Sequence, residues 1–350
     1  MKALILMPHL SDYMLNCFSL WRETSGVELH IVRLKVDTEE APFNFGTESR
    51  GLTFYDREKF SAAEIIALMK REQPNLIICF GWFDSAYVEA VKLRPSGTMA
   101  VMAMDNQWNR SVRQLLGLIY CRLLLVRHFD FVWVPGARQR RFARLLGFDD
   151  KSIRDGLYVA NDANFTPIYQ SIQGAPLKRL VFVGRYVDVK GLRELWQAFE
   201  TYHATNDSNL ELICIGTGPL YKNRPQHPRI THLGFVQPKE FRDKLAGGGI
   251  FIFPSRFEPW GLVVHEFALA GFPLLLSDAV GAGDRFLTQE NGYQITPDCC
   301  NSLLDAFAFV DSLNEVKLSN MSEQSRSLGA TLTVANWCAQ ADEFLMASRL

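Results

Sequence analysis

The 350-residue sequence predicts an α/β fold of two doubly wound parallel-sheet domains, and three observations carry that prediction. Short continuous apolar runs recur along the chain, helical patterns separate several of them, and the alternation breaks once at a polar stretch before restarting. Such runs suit strands buried on both faces of a parallel sheet, and strand–helix alternation supplies the crossovers that a parallel sheet requires. A length of this size also fits about two domains.

Lys2–Met7 opens the first domain as an apolar run ended by Pro8. Glu28–Leu34, Asn75–Phe80, Met99–Met104, Phe131–Val134 and Gly156–Val159 read as further strands. Between them, Ser61–Arg71 sets Ile65, Ile66, Leu68 and Met69 on one helical face. Asn161–Asn164, Pro167, Gln170–Gly174 and Pro176 then form a turn-rich stretch without periodicity. The expected division is an N-terminal domain over 1–165, a linker over 166–176, a second domain over 177–333 and a closing helix over 334–350 that can pack back on the first domain. In the second domain Arg179–Val183, Leu210–Ile215, Ile230–Leu233, Ile250–Phe253 and Leu274–Ser277 read as strands; Gly191–Tyr202, Pro238–Ala246 and Leu262–Ala270 read as helices. Two such domains leave a cleft between the carboxyl ends of their strands, where ligands of this architecture bind.

Composition narrows the function. With 48% hydrophobic and 21% charged residues the chain is neither disordered nor fibrous. Lys plus Arg total 37 against 38 Asp plus Glu, so no global charge points to nucleic acid. Seven cysteines, an odd number without a C-x-x-C, argue against a zinc ribbon or a secreted disulfide framework and for a reducing compartment. The N-terminal run lacks a signal-peptide core, and Leu115–Val126, interrupted by Gly117 and Arg122, is too short to span a bilayer, so a cytoplasmic protein is expected. Residues 106–148 hold eight arginines (110, 113, 122, 127, 138, 140, 141 and 144) against the single acid Asp130, interleaved with Trp108, Tyr120, Phe129, Trp133 and Phe142. That segment admits two readings: a solvated helix face with core aromatics, or a surface for an anionic membrane or lipid phosphate, centred on Arg138, Arg140, Arg141 and Arg144.

Two segments carry candidate chemistry. In Gly184-Arg185-Tyr186-Val187-Asp188-Val189-Lys190-Gly191 a strand ends and a helix begins. Gly184 allows close backbone approach, Arg185 and Lys190 bring two cations, and the helix adds its positive end, which together suit a diphosphate. A β–α turn with solvated basic residues is the alternative. In Ser255-Arg256-Phe257-Glu258-Pro259-Trp260-Gly261-Leu262-Val263-Val264-His265-Glu266, Pro259 keeps Glu258 out of helix and therefore in the loop. Glu266 falls inside the helix. The two carboxylates suit vicinal sugar and ribose hydroxyls, and free N–H groups near Gly261 and Leu262 suit a phosphate oxygen. A solvated loop residue and a surface helix residue are the alternatives for Glu258 and Glu266. His265 reads as a packing residue, and Cys299 and Cys300 as ordinary loop thiols.

Taken together, four stretches resemble a known family in order and spacing: G-R-x(4)-K-G at 184–191, G-x-G-P at 216–219, E-x7-E at 258–266 and G-x-P-L-L-x-S-D at 271–278. The chain is similar to the retaining nucleotide-sugar glycosyltransferases of family GT4 (glycosyl transferases group 1). These have the GT-B fold of two Rossmann-like domains facing across a cleft. The resemblance covers most of the second half by motif and the first half by architecture. It implies transfer of a hexose-type sugar from a nucleotide-diphosphate sugar to a glycan or lipid-linked hydroxyl, in surface polysaccharide, lipopolysaccharide or glycoconjugate assembly. The setting implied is the inner face of the plasma membrane, with peripheral contact to anionic lipid and no nucleic acid. It implies no cofactor and no metal, in keeping with the lack of a D-x-D at a strand tip and of a His/Cys cluster with ligand spacing.

Residue by residue, the resemblance puts Gly184, Gly216 and Gly218 at the donor, Arg185 and Lys190 on its diphosphate and Glu266 on the ribose. Glu258 would take the sugar hydroxyls, and Trp260, Gly261 and Leu262 would offer backbone N–H groups. The implied mechanism is front-face departure and attack with stabilisation of the leaving phosphate and no enzyme nucleophile. A covalent role for Glu258 is disfavoured, because it would need a paired carboxylic acid.

The first half departs from the family pattern twice. Met7-Pro8-His9-Leu10-Ser11-Asp12 replaces the usual Gly-rich loop, and Met104-Asp105-Asn106 stands where His-Asp is usual. Asp105 is then either the polar catalytic group of that side or a cap for the following helix, and His9 either an imidazole for the site or structural. A GT-B nucleotide-sugar 2-epimerase and a non-catalytic nucleotide-sugar-binding subunit are the competing functions.

Overall fold

The computed structural model describes residues 1–34, 51–172 and 174–347. Gln173 of the expected linker and residues 348–350 of the expected closing helix lie outside the described residues. The chain divides into two compact units, one of residues 1–159 with 333–350 and the other of residues 160–332.

In the first unit seven strands run parallel: β1 (Lys2–Leu6), β2 (Glu28–Arg33), β3 (Leu52–Asp56), β4 (Leu76–Phe80), β5 (Met99–Ala103), β6 (Phe131–Trp133) and β7 (Ile153–Arg154). Their order is β3-β2-β1-β4-β5-β6-β7. The residues that made β1 and β4 recognisable as apolar runs form the core with the helices: Leu4, Leu6, Ile77 and Cys79 pack with Ile65, Leu68 and Met69 of the Ala62–Glu72 helix. Ser61 caps that helix and Glu64 closes the reciprocal bond, so polar residues fix its start and the apolar face fixes its docking.

Four differences from the sequence expectation have physical causes. No strand forms over Gly156–Val159; the edge strand is the two-residue β7 just before it. The apolar residues Leu157 and Val159 are buried by loop packing instead. β3 has no apolar run to announce it, because only Leu52 among its residues is buried. Part of the 166–176 linker is helix: Asp162–Gln170, with Asn161 accepting a hydrogen bond from the Ala163 N–H at its start. Its polar composition reflects an Asn cap and exposed turns, while Phe165 and Ile168 are buried. The unit boundary accordingly falls at Val159/Ala160.

The Val334–Ala347 helix belongs to the first unit. Trp337 is its anchor. The indole N–H donates to the Leu157 carbonyl at 2.9 Å, and the ring meets Trp21 and Trp133 at centroid distances of 5.9 and 4.8 Å. Asp342 on the same helix accepts from the Trp21 indole N–H at 2.8 Å.

The second unit has six parallel strands: β8 (Arg179–Val183), β9 (Glu211–Ile215), β10 (Ile230–Gly234), β11 (Ile250–Phe253), β12 (Leu274–Ser277) and β13 (Gly292–Ile295). Their order is β10-β9-β8-β11-β12-β13. Helices Leu192–Thr205, Leu262–Leu269, Cys300–Ser312 and Glu315–Gly329 flank this sheet. In both sheets the strand order reverses once, at β1/β4 and at β8/β11. An open parallel sheet leaves a crevice at such a reversal, outside the carboxyl ends of the two strands, because the connections on either side wind away from each other.

Candidate functional site

At the β8/β11 reversal the two motif loops lie against each other. Gly191 makes this approach possible: its φ is +69°, and a Cβ there would sit 2.3 Å from the Pro254 carbonyl oxygen of the opposite loop. Only glycine accepts both conditions. The loops are then tied together, with the Arg256 N–H and the Ser255 hydroxyl both donating to the Val189 carbonyl, at 2.8 and 3.0 Å.

The third loop, after β9, joins through backbone contacts and through the Tyr221 ring, whose centroid lies 5.4 Å from that of Tyr186. Gly216 has φ +136°, and a Cβ on it would fall 1.9 Å from the Gly184 carbonyl oxygen. Across that contact the Gly184 N–H donates to the Ile215 carbonyl at 3.0 Å and the Tyr186 N–H to Thr217 at 2.8 Å. The G-R and G-x-G-P motifs are therefore two halves of one backbone platform.

The charges converge on this platform. The Lys190 ammonium forms an ion pair with Glu258 and lies 4.9 Å from the Phe253 ring centroid. Both partners are largely buried, with side-chain exposures of 17% and 16%, so the pair is screened less than one in open solvent. Arg185 is exposed at the start of the same β8 loop. Arg256 bridges Glu194, at 2.5 Å, and Asp298, which holds the β11 loop from its outer side.

Glu258 is placed by the backbone around it. Its N–H donates to the Ala279 carbonyl at 3.3 Å, and its carbonyl accepts from the Gly281 N–H at 3.0 Å. Trp260 is buried, its carbonyl accepting from the Ala282 N–H at 2.8 Å, and its indole N–H has no partner. The helix Leu262–Leu269 then starts at Gly261, in the loop after β11, with no side chain capping it. Glu266 is half-buried in the second turn of that helix. Gly184, Arg185, Lys190, Gly216, Gly218, Glu258, Trp260, Gly261, Leu262 and Glu266 thus all lie after β8, β9 or β11 of one unit.

His265, one residue before Glu266, is fully buried and engaged at both nitrogens. Nδ1 accepts from the Ala160 N–H at 3.1 Å and Nε2 donates to the Gly329 carbonyl at 3.0 Å. The ring stacks on Phe286 at 4.6 Å, and burial pulls its pKa down to about 4. It is a neutral packing residue that orients the helix.

His9 and Asp105 lie in the other unit, after β1 and β5, on loops that start at the carboxyl ends of those strands. His9 is exposed. Asp105 accepts from the Tyr158 hydroxyl at 3.3 Å, while its own carbonyl accepts from Gln139 at 3.2 Å. Burial pushes the Tyr158 hydroxyl pKa far up, so it stays a donor to the carboxylate. Asp105 does not cap the following helix. That helix starts at Val112, and Ser111 caps it by accepting from the Gln114 N–H. A cavity of about 480 Å³ in the same unit is lined by Gly81, Trp82, Phe83, Asn106, Asn109 and Gln114 among others, and neither His9 nor Asp105 is in its lining. Sequence reading missed Trp82, Asn109 and, in the second unit, Ser255 and Arg256; the rule that ligands collect at the carboxyl ends of strands would have nominated the loops after β4 and β5.

Of the four arginines expected to face an anionic surface, Arg140 and Arg144 pair with acids. Arg140 donates to Asp155 at 2.9 Å and lies 3.6 Å from Asp150, which Arg144 also contacts at 2.7 Å. Asp150 and Asp155, just beyond the 106–148 segment, thus neutralise part of its charge locally. Among the described residues, the one His/carboxylate group with metal-ligand proximity is Glu28, His30 and Glu72 in the first unit. It sits apart from the motif loops, and Lys2 and Arg71 hold the Glu72 pKa down to about 2.

A parallel sheet in each unit, with the motif loops at the reversal of the second, defines the class: an α/β chain of two Rossmann-like units with the GT-B fold. Residues 177–316 match the sequence model of the family described as Glycosyl transferases group 1, so the family resemblance read from the four motifs holds over this segment. An uncharacterised glycosyltransferase of Methanocaldococcus jannaschii is 27% identical over 128 residues, which is 34% of this chain and 32% of that protein. The glycogen synthase of Thioalkalivibrio sulfidiphilus is 33% identical over 139 residues, 37% of this chain and 27% of that protein. The chain therefore matches about a third of the length of these curated relatives. The fold extends further: the structure of Anabaena HepE in complex with UDP and glucose covers 99% of this chain and 100% of its own, at 14% identity and a TM-score of 0.75.

Proposed function

We propose that this protein is a retaining, metal-independent glycosyltransferase that moves a hexose-type sugar from a nucleotide-diphosphate sugar to a glycan or lipid-linked hydroxyl acceptor in surface polysaccharide, lipopolysaccharide or glycoconjugate assembly. The observation that carries the reading is the meeting of Lys190, Glu258 and the uncapped Leu262–Leu269 helix at the β8/β11 reversal. A cation and a helix N-terminus on a backbone platform suit a diphosphate, and the carboxylate suits sugar hydroxyls. The UDP bound by Anabaena HepE makes uridine nucleotides the first to try.

In this mechanism Lys190 transfers its interaction from Glu258 to the diphosphate as donor binds, which frees the carboxylate for the sugar. Arg185, exposed on the same loop, adds a second cation as the bond to the leaving phosphate breaks. Glu266 holds the ribose, and the N–H groups at Gly261 and Leu262 hold phosphate oxygen. Charge developing on the leaving phosphate meets groups already in place, so little reorganisation accompanies the reaction. The departing phosphate oxygen takes the acceptor proton on the same face. Asp105, kept in position by the Tyr158 hydroxyl, serves the acceptor side.

The test is a proton NMR time course with UDP-glucose, UDP-galactose and UDP-N-acetylglucosamine, acceptor glycans and a chelator. Transfer with the donor's anomeric configuration kept is expected. An inverted product removes the retaining assignment, loss of transfer on chelation removes the metal-independent one, and conversion of donor to an epimer without acceptor replaces the reading with a 2-epimerase.

A further inference from the structure

Glu28 and His30 are the first and third residues of β2, so their side chains leave the same face of the sheet. Glu72, the last residue of the Ala62–Glu72 helix, meets them there. His30 is buried, and its Nε2 lies 3.0 Å from a Glu28 carboxylate oxygen and 3.5 Å from one of Glu72. All three donor atoms fall within 4.8 Å of one another. Around a tetrahedral zinc, with ligands about 2.1 Å from the metal, donor atoms stand about 3.4 Å apart. The two separations from the imidazole bracket that spacing.

The groups behind the donors fix their direction. His30 Nδ1 is 3.0 Å from the Tyr55 hydroxyl, and the second Glu72 oxygen accepts from the Arg71 Nε–H at 2.8 Å. With a proton on Nδ1, donated to Tyr55, the Nε2 lone pair faces two carboxylates, and three acceptors turned toward one another require a cation. Lys2, on the neighbouring strand, brings one: its ammonium lies 2.9 Å from Glu72 and 3.7 Å from Glu28. That side chain is 36% exposed, so it can swing into solvent as a metal enters and return as the metal leaves. One imidazole with two carboxylates suits zinc, whereas calcium and magnesium prefer all-oxygen sets.

We infer that Glu28, His30 and Glu72 form a zinc-type divalent metal site that clamps the end of the Ala62–Glu72 helix to the amino end of β2. The loops proposed for sugar transfer lie at the carboxyl ends of strands, and Lys2 restores the cation when metal is removed. The site therefore serves structure, and it stands apart from the metal-independent transfer proposed above.

The experiment is calorimetric titration of zinc chloride into the untagged full chain, stripped with chelator and dialysed, at about pH 7.5, where an ordinary imidazole is neutral. One saturable site is expected, and zinc should raise the melting temperature of the chain. Glu28→Gln, on the most exposed of the three ligands, should weaken binding about tenfold or more while the chain still folds, and His30→Gln should abolish it. Lys2→Ala should tighten binding by up to about tenfold, because the competing ammonium is gone; a purely structural role for these residues gives no such gain. Absence of a saturable site, affinity unchanged in Glu28→Gln, or no gain in Lys2→Ala would each overturn the inference.

Discussion

The two units answer the same topological problem in opposite ways. Each sheet reverses its strand order once, and each reversal leaves loops to be filled. In the second unit the loops are closed by backbone contact: Gly216 on Gly184, Gly191 on Pro254, and hydrogen bonds to the Val189 carbonyl. In the first unit the loops after β4 and β5, one strand along from the β1/β4 reversal, border an open cavity lined by Trp82, Asn106 and Asn109, with an apolar helix beside it. On the proposed function, the locked loops would hold the donor diphosphate and the open loops the acceptor. The lesson is that the same sheet topology can preorganise charge at one end of a chain and remain a surface at the other.

The largest expected effect falls on the backbone platform. Gly216→Ala drives a methyl into the Gly184 carbonyl and requires φ +136° of an L-residue, so a loss of about 3 kcal/mol or more is expected, read as a lower denaturant midpoint. A wild-type midpoint would mean that the two loops are not locked together.

Acid sharpens the contrast next. Burial holds His265 neutral with a pKa of about 4 against 6.5 for the free side chain. Between those values the unfolded chain binds a proton that the folded chain does not, so stability falls as pH drops through this window, by about 3 kcal/mol in all. His265→Gln should flatten that dependence. A pH profile indistinguishable from wild type would show that the ring is not buried neutral.

Glu258→Gln separates binding from turnover. It releases Lys190 from its ion pair, so UDP should bind a few times more tightly, while transfer slows because a charged partner of the sugar hydroxyls is gone, worth about 1.5–3 kcal/mol. Calorimetry and initial rates read the two effects, and parallel changes in both would put Glu258 outside the sugar contacts. The smallest effect belongs to the first unit's surface: Arg140→Gln breaks partly exposed pairs with Asp155 and Asp150 and should cost no more than about 1 kcal/mol in a thermal melt.

The same contrast explains what could be read from sequence. The second unit announced itself because its loops need particular residues: glycine where a Cβ cannot fit, as at 191 and 216, and charge at 190 and 258. The strands β1, β4, β8 and β11 were legible because both faces are buried and the residues are continuously apolar. β3 and β7 were not, since edge strands with half-exposed or very short sequences carry no such signal. The Asp162–Gln170 helix was hidden by its Asn cap and internal Pro167, which read as turn chemistry. Leu115–Val126 is too short to span a bilayer, and the exposure of its Leu116, Ile119 and Leu123 is a property of packing, visible only in the structure. Ser255 and Arg256 were missed because they act through Val189, Glu194 and Asp298, which are distant in sequence.

The most direct measurement is UDP binding by titration calorimetry in a buffer containing chelator, for the wild-type chain and Lys190→Ala. The account predicts that wild type binds without metal and that the variant loses about tenfold or more in affinity, the share of a charge-assisted contact to phosphate. Equal affinities, or wild-type binding that appears only when a divalent cation is restored, would contradict it.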